Sequence, residues 1–270
     1  TGSIVFVFVA LYTQSNPLFS IYVSKIDVSF INYGWLVSVF WIFLLLIGLV
    51  TPTTQPSISK LNRKAAHIEE KTSSKRDEQE FSIAKLTIWI LGAILTVINI
   101  GDLLVLFTGS LPDGITYSKY VHQGFNTLIF TISLAIGLII YFFRGQLNFH
   151  ENFSLLKKAS SFWITQNLLL AFITAYKNIL YIDEYGLTYK RTAVFIALIC
   201  VILGLFLSFK KLQNTFSNWY YFNKLTLYTF TFFVAISLVP IDKMICRYNL
   251  KYTQNVDIEY LLDLSKPDLL

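Results

Sequence analysis

Residues 83–107, IAKLTIWILGAILTVINIGDLLVLF, run almost unbroken in apolar side chains. A run longer than roughly 18 such residues is the length of a bilayer crossing, and inside a bilayer a single segment satisfies its own backbone hydrogen bonds only as a helix. The segment therefore commits the chain to a membrane helix and rules out a soluble core of ordinary design. It also carries one carboxylate, Asp102, about a turn and a half before its end. An ionisable group at that depth is costly, and its presence asks for a role.

Composition extends the reading to the whole chain. Apolar types make up 54% and charged types only 14% of the 270 residues, against roughly 25% charged in soluble domains. The net charge of +6 does not indicate nucleic acid. Basic residues gather in the connections between apolar runs, as membrane topology requires, and form no aromatic-interleaved patch on a polar surface. Cys200 falls within an apolar run and Cys246 in the tail, so neither a disulfide framework nor a cysteine metal site is expected. The opening TGSIVFVFVA has no basic n-region and is not a signal peptide. It reads as a start partway along a span.

Seven spans are expected, at residues 4–12, 35–50, 83–107, 125–143, 162–176, 193–209 and 225–239. The runs are continuous rather than alternating, which excludes a membrane barrel. The fold class is thus an all-α, polytopic membrane bundle with an amphipathic tail helix. Gly48, Gly92, Gly137 and Gly204 lie in spans without forming a GxxxG pair. Organisation follows as two spans with an outer loop (1–50), a hydrophilic cytoplasmic linker (51–82), a five-span bundle (83–241) and an extracytoplasmic tail (242–270). The linker is dense in Ser, Thr and mixed charge, a disordered or loosely helical composition. His67 within it has no ligand set around it.

Orientation comes from the basic residues. Lys60, Arg63, Lys64, Lys71, Lys75 and Arg76 crowd the linker, and Lys85, Arg144, Lys157, Lys158, Lys210, Lys211 and Lys224 fall on the same side. The opposite side, the tail aside, holds only Lys25, Lys119, Lys177, Lys190 and Arg191. The linker is accordingly cytoplasmic and the tail outside.

Two outer segments carry chemistry. In TGSLPDGITYSKYVHQG, residues 108–124, Pro112-Asp113-Gly114 is a turn signal. His122 enters the interface a few residues from the end of the Asp102 span, and helices joined by so short a loop bring their ends together. Asp102 and His122 are the candidate pair for a polar network, a proton relay or half a metal site, with Lys119 or Arg191 as the cation within reach. The plainer alternative has Asp102 bonding backbone near a helix end while His122 sits in wet interface. In AYKNILYIDEYGLTYKR, residues 175–191, Tyr and the basic residues form an aromatic belt with outward-snorkelling cations. Asp183 and Glu184 are adjacent and diverge on a helix, which argues against a facing acid pair. Gly186 is the expected helix C-cap. Further on, Ile258, Leu261 and Leu262 fall at helical spacing, an amphipathic helix that Ser265-Lys266-Pro267 would stop.

No P-loop, GxSxG, HExxH or CxxC occurs, so no catalytic residue, cofactor or metal is assigned. The segments SNPLF (15–19), LPDGITYSKYVHQGF (111–125), YIDEYGLTYKR (181–191), RYNLKY (247–252) and DIEYLLDLS (257–265) resemble the bacterial membrane proteins catalogued as domains of unknown function 4153 and 4173. The resemblance runs from Ser15 to the end and departs in the closing SKPDLL. It implies a polytopic protein of the bacterial inner membrane, commonly longer at its N-terminus, and no particular activity. Two functions are then in view. One is a membrane subunit or scaffold that meets other chains, or a missing N-terminal region, through its loops and tail. The other is a transporter or proton-linked permease using Asp102 and His122. With Cys200 and Cys246 replaced, a cysteine at Lys266 should react with a membrane-impermeant thiol reagent in cells stripped of their outer barrier. Labelling at Ser73 instead would reverse the orientation.

Overall fold

The computed structural model describes residues 1–23, 67–68, 75–109, 120, 125–252 and 258–265. Among these the chain is helical, apart from its connections, a short 3-10 turn at Gln146–Phe149 and an isolated antiparallel bridge between His67 and Phe216. The helices are α1 (Gly2–Ser15), α2 (Pro17–Val23), α3 (Lys75–Thr108), α4 (Phe125–Phe142), α5 (Phe153–Tyr185), α6 (Tyr189–Asn214), α7 (Asn218–Ser237), α8 (Ile241–Tyr252) and α9 (Ile258–Ser265).

The breaks between them follow local chemistry. Asn16 is extended, as a residue before proline prefers, and ends α1. Its Oδ1 then accepts from the backbone N–H of Leu18 (2.9 Å) and Phe19 (3.1 Å), capping α2, with Pro17 at the first helical position. The motif SNPLF is thus a helix–helix corner. At the far end of α6, Thr215 takes a left-handed conformation (φ 52°) and Ser217 caps α7 by accepting from Tyr220 N–H at 3.2 Å.

Three helices are long and apolar enough to cross a membrane: Asp77–Thr108 within α3, Phe125–Phe142 and Tyr189–Asn214. A fourth crossing results if α7 and α8, bent by 62° at a short break, act as one span. The structure thus supports three or four of the seven expected spans. The first is the apolar but short α1. The expected span 35–50 lies outside the described residues. The expected span 162–176 lies within α5, which is amply long but buries Gln166, Asn167, Thr174, Lys177 and Asn178 along one side. That polar row lowers its mean hydropathy below the other three. Helix α3 begins at Lys75, inside the segment read as linker (51–82), with Asp77 and Glu78 favourably placed in its first turn. The chain is a multi-pass integral membrane protein of all-α architecture.

Helix α5 packs on both α3 and α6, α6 also packs on α4 and α7, and α1 covers α4 and α3. Their shared core includes Phe8, Leu91, Leu95, Ile132, Phe143, Trp163, Leu170 and Leu205. Phe8 meets Trp163 with ring centroids 6.2 Å apart, fastening α1 to α5. At the Phe143 end, buried Lys211 donates to the carbonyls of Phe143 (2.8 Å) and Phe216 (2.7 Å), and Lys157 to that of Gln213 (3.0 Å). Arg144 pairs with Glu80 at 2.5 Å, joining the α4 exit to the start of α3.

Gly204 marks the tightest crossing. Its carbonyl accepts from the Tyr221 hydroxyl at 3.2 Å, and an added Cβ would lie 2.9 Å from Ile136 Cδ1 and 3.4 Å from Tyr221 Oη. The nearer atom is the flexible tip of a side chain. Gly204→Ala should therefore change stability by no more than about 1 kcal/mol, helix propensity offsetting the crowding. Gly204→Leu forces α4, α6 and α7 apart and should lower the thermal midpoint in detergent sharply; an unchanged midpoint would refute this packing.

Candidate functional site

Asp102 belongs to the buried stripe of α3, following Ile88, Leu91, Leu95 and Ile98 at helical spacing. On α5 the corresponding stripe passes through Trp163, Asn167, Leu170, Thr174 and Lys177. The two stripes face each other, and contacts rise together along both: Thr96 and Asn99 meet Gln166, while Asp102 meets Lys177. The helices are therefore parallel neighbours.

Lys177 Nζ lies 2.8 Å from Asp102 Oδ1, with side-chain exposures of 4% and 0%. Tyr120 completes the site. Its hydroxyl lies 3.2 Å from the same carboxylate oxygen and 3.3 Å from the Asp102 carbonyl, and the Lys177 ammonium sits 4.1 Å from its ring centroid. The ammonium is thus held between a carboxylate and an aromatic face, both favourable to a desolvated cation. Each of the two buried groups has a partner of opposite formal charge.

A seam of neutral polar groups continues from this pair. Asn99 donates to the Gln166 carbonyl at 3.1 Å, Gln166 donates to the Thr96 hydroxyl, and Asn178 donates to the Arg191 carbonyl at 3.0 Å. Five buried oxygens along it, Asp102 Oδ2, Asn99 Oδ1, Gln166 Oε1, Asn167 Oδ1 and Asn178 Oδ1, have no hydrogen-bond partner among the described residues. The seam is rich in acceptors. It suits a proton, a cation or a hydroxyl-bearing molecule.

Of the residues expected at the site, Asp102 is buried as anticipated, while Lys119 and His122 lie outside the described residues. Arg191 has a different employment at the α5–α6 corner. Its Nη1 donates to the carbonyls of Tyr185 (2.7 Å) and Gly186, and its guanidinium stands 4.3 Å from the Tyr181 ring centroid. Among the described residues the cation on Asp102 is Lys177, which points inward instead of snorkelling. The signal for it was available: Lys177 falls three residues after Thr174 and seven after Leu170, on the stripe that faces the core. Tyr120 carried no comparable signal. His150 stacks on Phe81 at 3.8 Å, and His67 Nδ1 lies 3.1 Å from the Asn214 carbonyl. No group of three or more metal-ligating residues occurs among the described residues.

The α5–α6 corner itself is built by YGLTYKR. Gly186 has φ +79°, as a C-cap glycine should, and Thr188 caps α6 by accepting from Arg191 N–H at 3.4 Å. The tail closes over it. Asn249 Oδ1 accepts from Leu187 N–H (2.6 Å) while its Nδ2 donates to the Leu187 carbonyl (2.8 Å). Ile245 packs with Ile182 and Leu187, and Tyr260, Leu261 and Leu264 of α9 join them. The Tyr260 hydroxyl accepts from Tyr189 N–H at 3.1 Å, and Tyr248 donates to Asp183 at 3.1 Å. The motifs RYNLKY and DIEYLLDLS are the strap on this corner. Beside it opens a groove of about 1040 Å³.

The family model described as Domain of unknown function (DUF4153) matches residues 1–270, and the chain belongs to that family. No curated protein and no solved structure matches it.

The buried pair predicts a non-additive mutant cycle. Asp102→Leu and Lys177→Met each leave one buried charge without its partner and should lower stability by about 3–5 kcal/mol. Asp102→Leu combined with Lys177→Met removes both charges and should recover most of that loss, read as the thermal midpoint in detergent. A double variant as unstable as the two single changes summed would refute the pairing.

Proposed function

We propose that the chain is a seven-span protein of the bacterial inner membrane, its tail extracytoplasmic, and that it acts as a membrane subunit or scaffold rather than as an enzyme. The observation that supports this most is α7. Of its residues Asn218–Ser237 only Tyr221 is buried, while Trp219, Phe222, Leu227, Phe230 and Phe233 stand exposed. Its principal neighbour among the described helices is α6. Lipid is as apolar as these side chains and does nothing to fix the rotation of a helix; packing against protein does. A further protein surface, from another chain or from more of this one, accounts for so aromatic a face. The strapped Gly186 corner gives such an assembly a rigid extracytoplasmic platform.

The acceptor-rich seam favours a second reading, a proton-linked permease in which Asp102 and His122 carry the proton. An intramembrane carboxylate facing the bundle interior is the usual mark of such paths.

A photo-crosslinking residue in place of Phe230 should give a discrete protein adduct in native membranes, and one in place of Tyr221 should give none. Labelling confined to lipid at Phe230 would overturn the subunit reading. For the permease, proteoliposomes holding an internal pH dye and matched amounts of folded protein should show proton flux that Asp102→Asn abolishes. Absence of flux in the unmodified protein would remove that reading.

A further inference from the structure

The groove at the Gly186 end lies where the first turn of α4, the α5–α6 corner and Tyr260 of α9 converge. Its volume of about 1040 Å³ is at the upper limit of small-molecule sites. Two cationic side chains line it, Lys190 and Arg191, and no Asp or Glu lines it among the described residues. The helix starts at Phe125 and Tyr189 both abut it, so the positive ends of two helix dipoles add to the two cations. Arg191 is fixed by its bonds to the corner carbonyls, whereas Lys190 is exposed and able to close on a ligand. Charge of this sign and arrangement selects an anion.

Asn178 makes the selection narrower. It is fully buried, lines the groove, and donates through Nδ2 to the Arg191 carbonyl. Its Oδ1 is left without a partner among the described residues. A buried acceptor of this kind is relieved of its desolvation cost when a donor reaches it. A phosphodiester carries no proton at neutral pH to offer it, but a hydroxyl beside the phosphate does. The rest of the wall mixes the polar Asn126, Thr127 and Thr188 with apolar and aromatic side chains such as Val194 and Tyr181, and the latter suit the carbon skeleton behind such a headgroup.

We propose that this groove binds a phosphoglycerol group, its phosphate on Lys190 and the helix starts and its hydroxyl on Asn178. The group reaches the site either as the head of an anionic membrane lipid or as a soluble glycerol phosphate. The proposal shares Asn178 with the seam and the Gly186 corner with the subunit reading, but lipid retention is read without proton flux or cross-linking, so its failure is distinguishable from theirs.

The test uses the full chain in detergent, with phosphatidylglycerol, phosphatidic acid and phosphatidylcholine supplied at equal mole fraction and retained lipid read by native mass spectrometry. Phosphatidylglycerol should be retained over the other two. Lys190→Glu reverses the charge, and Ala193→Trp fills the groove from an exposed position without changing charge. Each should cut retention by about tenfold or more, a loss of about 1.4 kcal/mol, with thermal midpoints showing that both variants fold. Asn178→Leu should bring phosphatidylglycerol down to the level of phosphatidic acid. A glycerol 3-phosphate titration that raises the midpoint in a Lys190-dependent way, without lipid retention, assigns the soluble source. Retention no better than that of phosphatidylcholine with no shift from glycerol 3-phosphate, or retention indifferent to Lys190→Glu and Ala193→Trp, would overturn the proposal.

Discussion

A carboxylate and an ammonium buried between two parallel helices of the bundle set the terms for the rest of this structure. Asp102 and Lys177 are tolerable in the bundle only together, because each alone would carry the desolvation cost of an uncompensated ion. Their contact fixes how far α3 and α5 slide past one another and how each is rotated. Apolar packing alone constrains those two degrees of freedom weakly when the alternative environment is lipid. Tyr120 extends the constraint to the connection after α3, since its ring and hydroxyl address both members of the pair. Once α3 and α5 are in register, α6 and α4 follow through the shared core around Trp163, Leu205 and Ile132.

Basic residues do two kinds of work here. Taken as a set they give the orientation signal, but several also satisfy particular carbonyls. Lys211 serves Phe143 and Phe216, Lys157 serves Gln213, and Arg191 serves Tyr185 and Gly186. These carbonyls lie at helix ends, where intrahelical partners run out and the dipole is negative. Lys157 and Arg191 reach them while staying partly exposed, whereas Lys211 is buried among the groups it serves.

The helical class and the corners were legible in the sequence because they are local. SNPLF states a helix stop and a capped restart within five residues, and Gly186 with Thr188 does the same at the next corner. Asp102 stood out in the sequence because a lone carboxylate in an apolar run is costly, although the plainer alternative of a bond to backbone near a helix end was open beside it. Lys177 did not, since a lysine near the end of an apolar stretch beside several tyrosines has the same local signature whether it snorkels outward or turns in. Only the phase of the α5 stripe, counted from Leu170 and Thr174, separates the two cases. The polar row that lowers the mean hydropathy of α5 is the same row that builds the seam with α3. Tyr120 stayed invisible because its role depends on a return path through space that no spacing in the chain encodes.

The bond pair between Asn249 and Leu187 has a consequence for biogenesis. Leu187 is buried, and both its N–H and its C=O are satisfied by a side chain synthesised much later. While α6 and α7 are being inserted, that peptide unit has no partner from the strap and needs water, a chaperone or the lipid headgroup layer to serve in its place. The corner therefore matures last, although it sits in the middle of the chain. Translation order and structural order run in opposite directions at this end of the bundle, and the strap acts as a seal applied once the helices beneath it are in place.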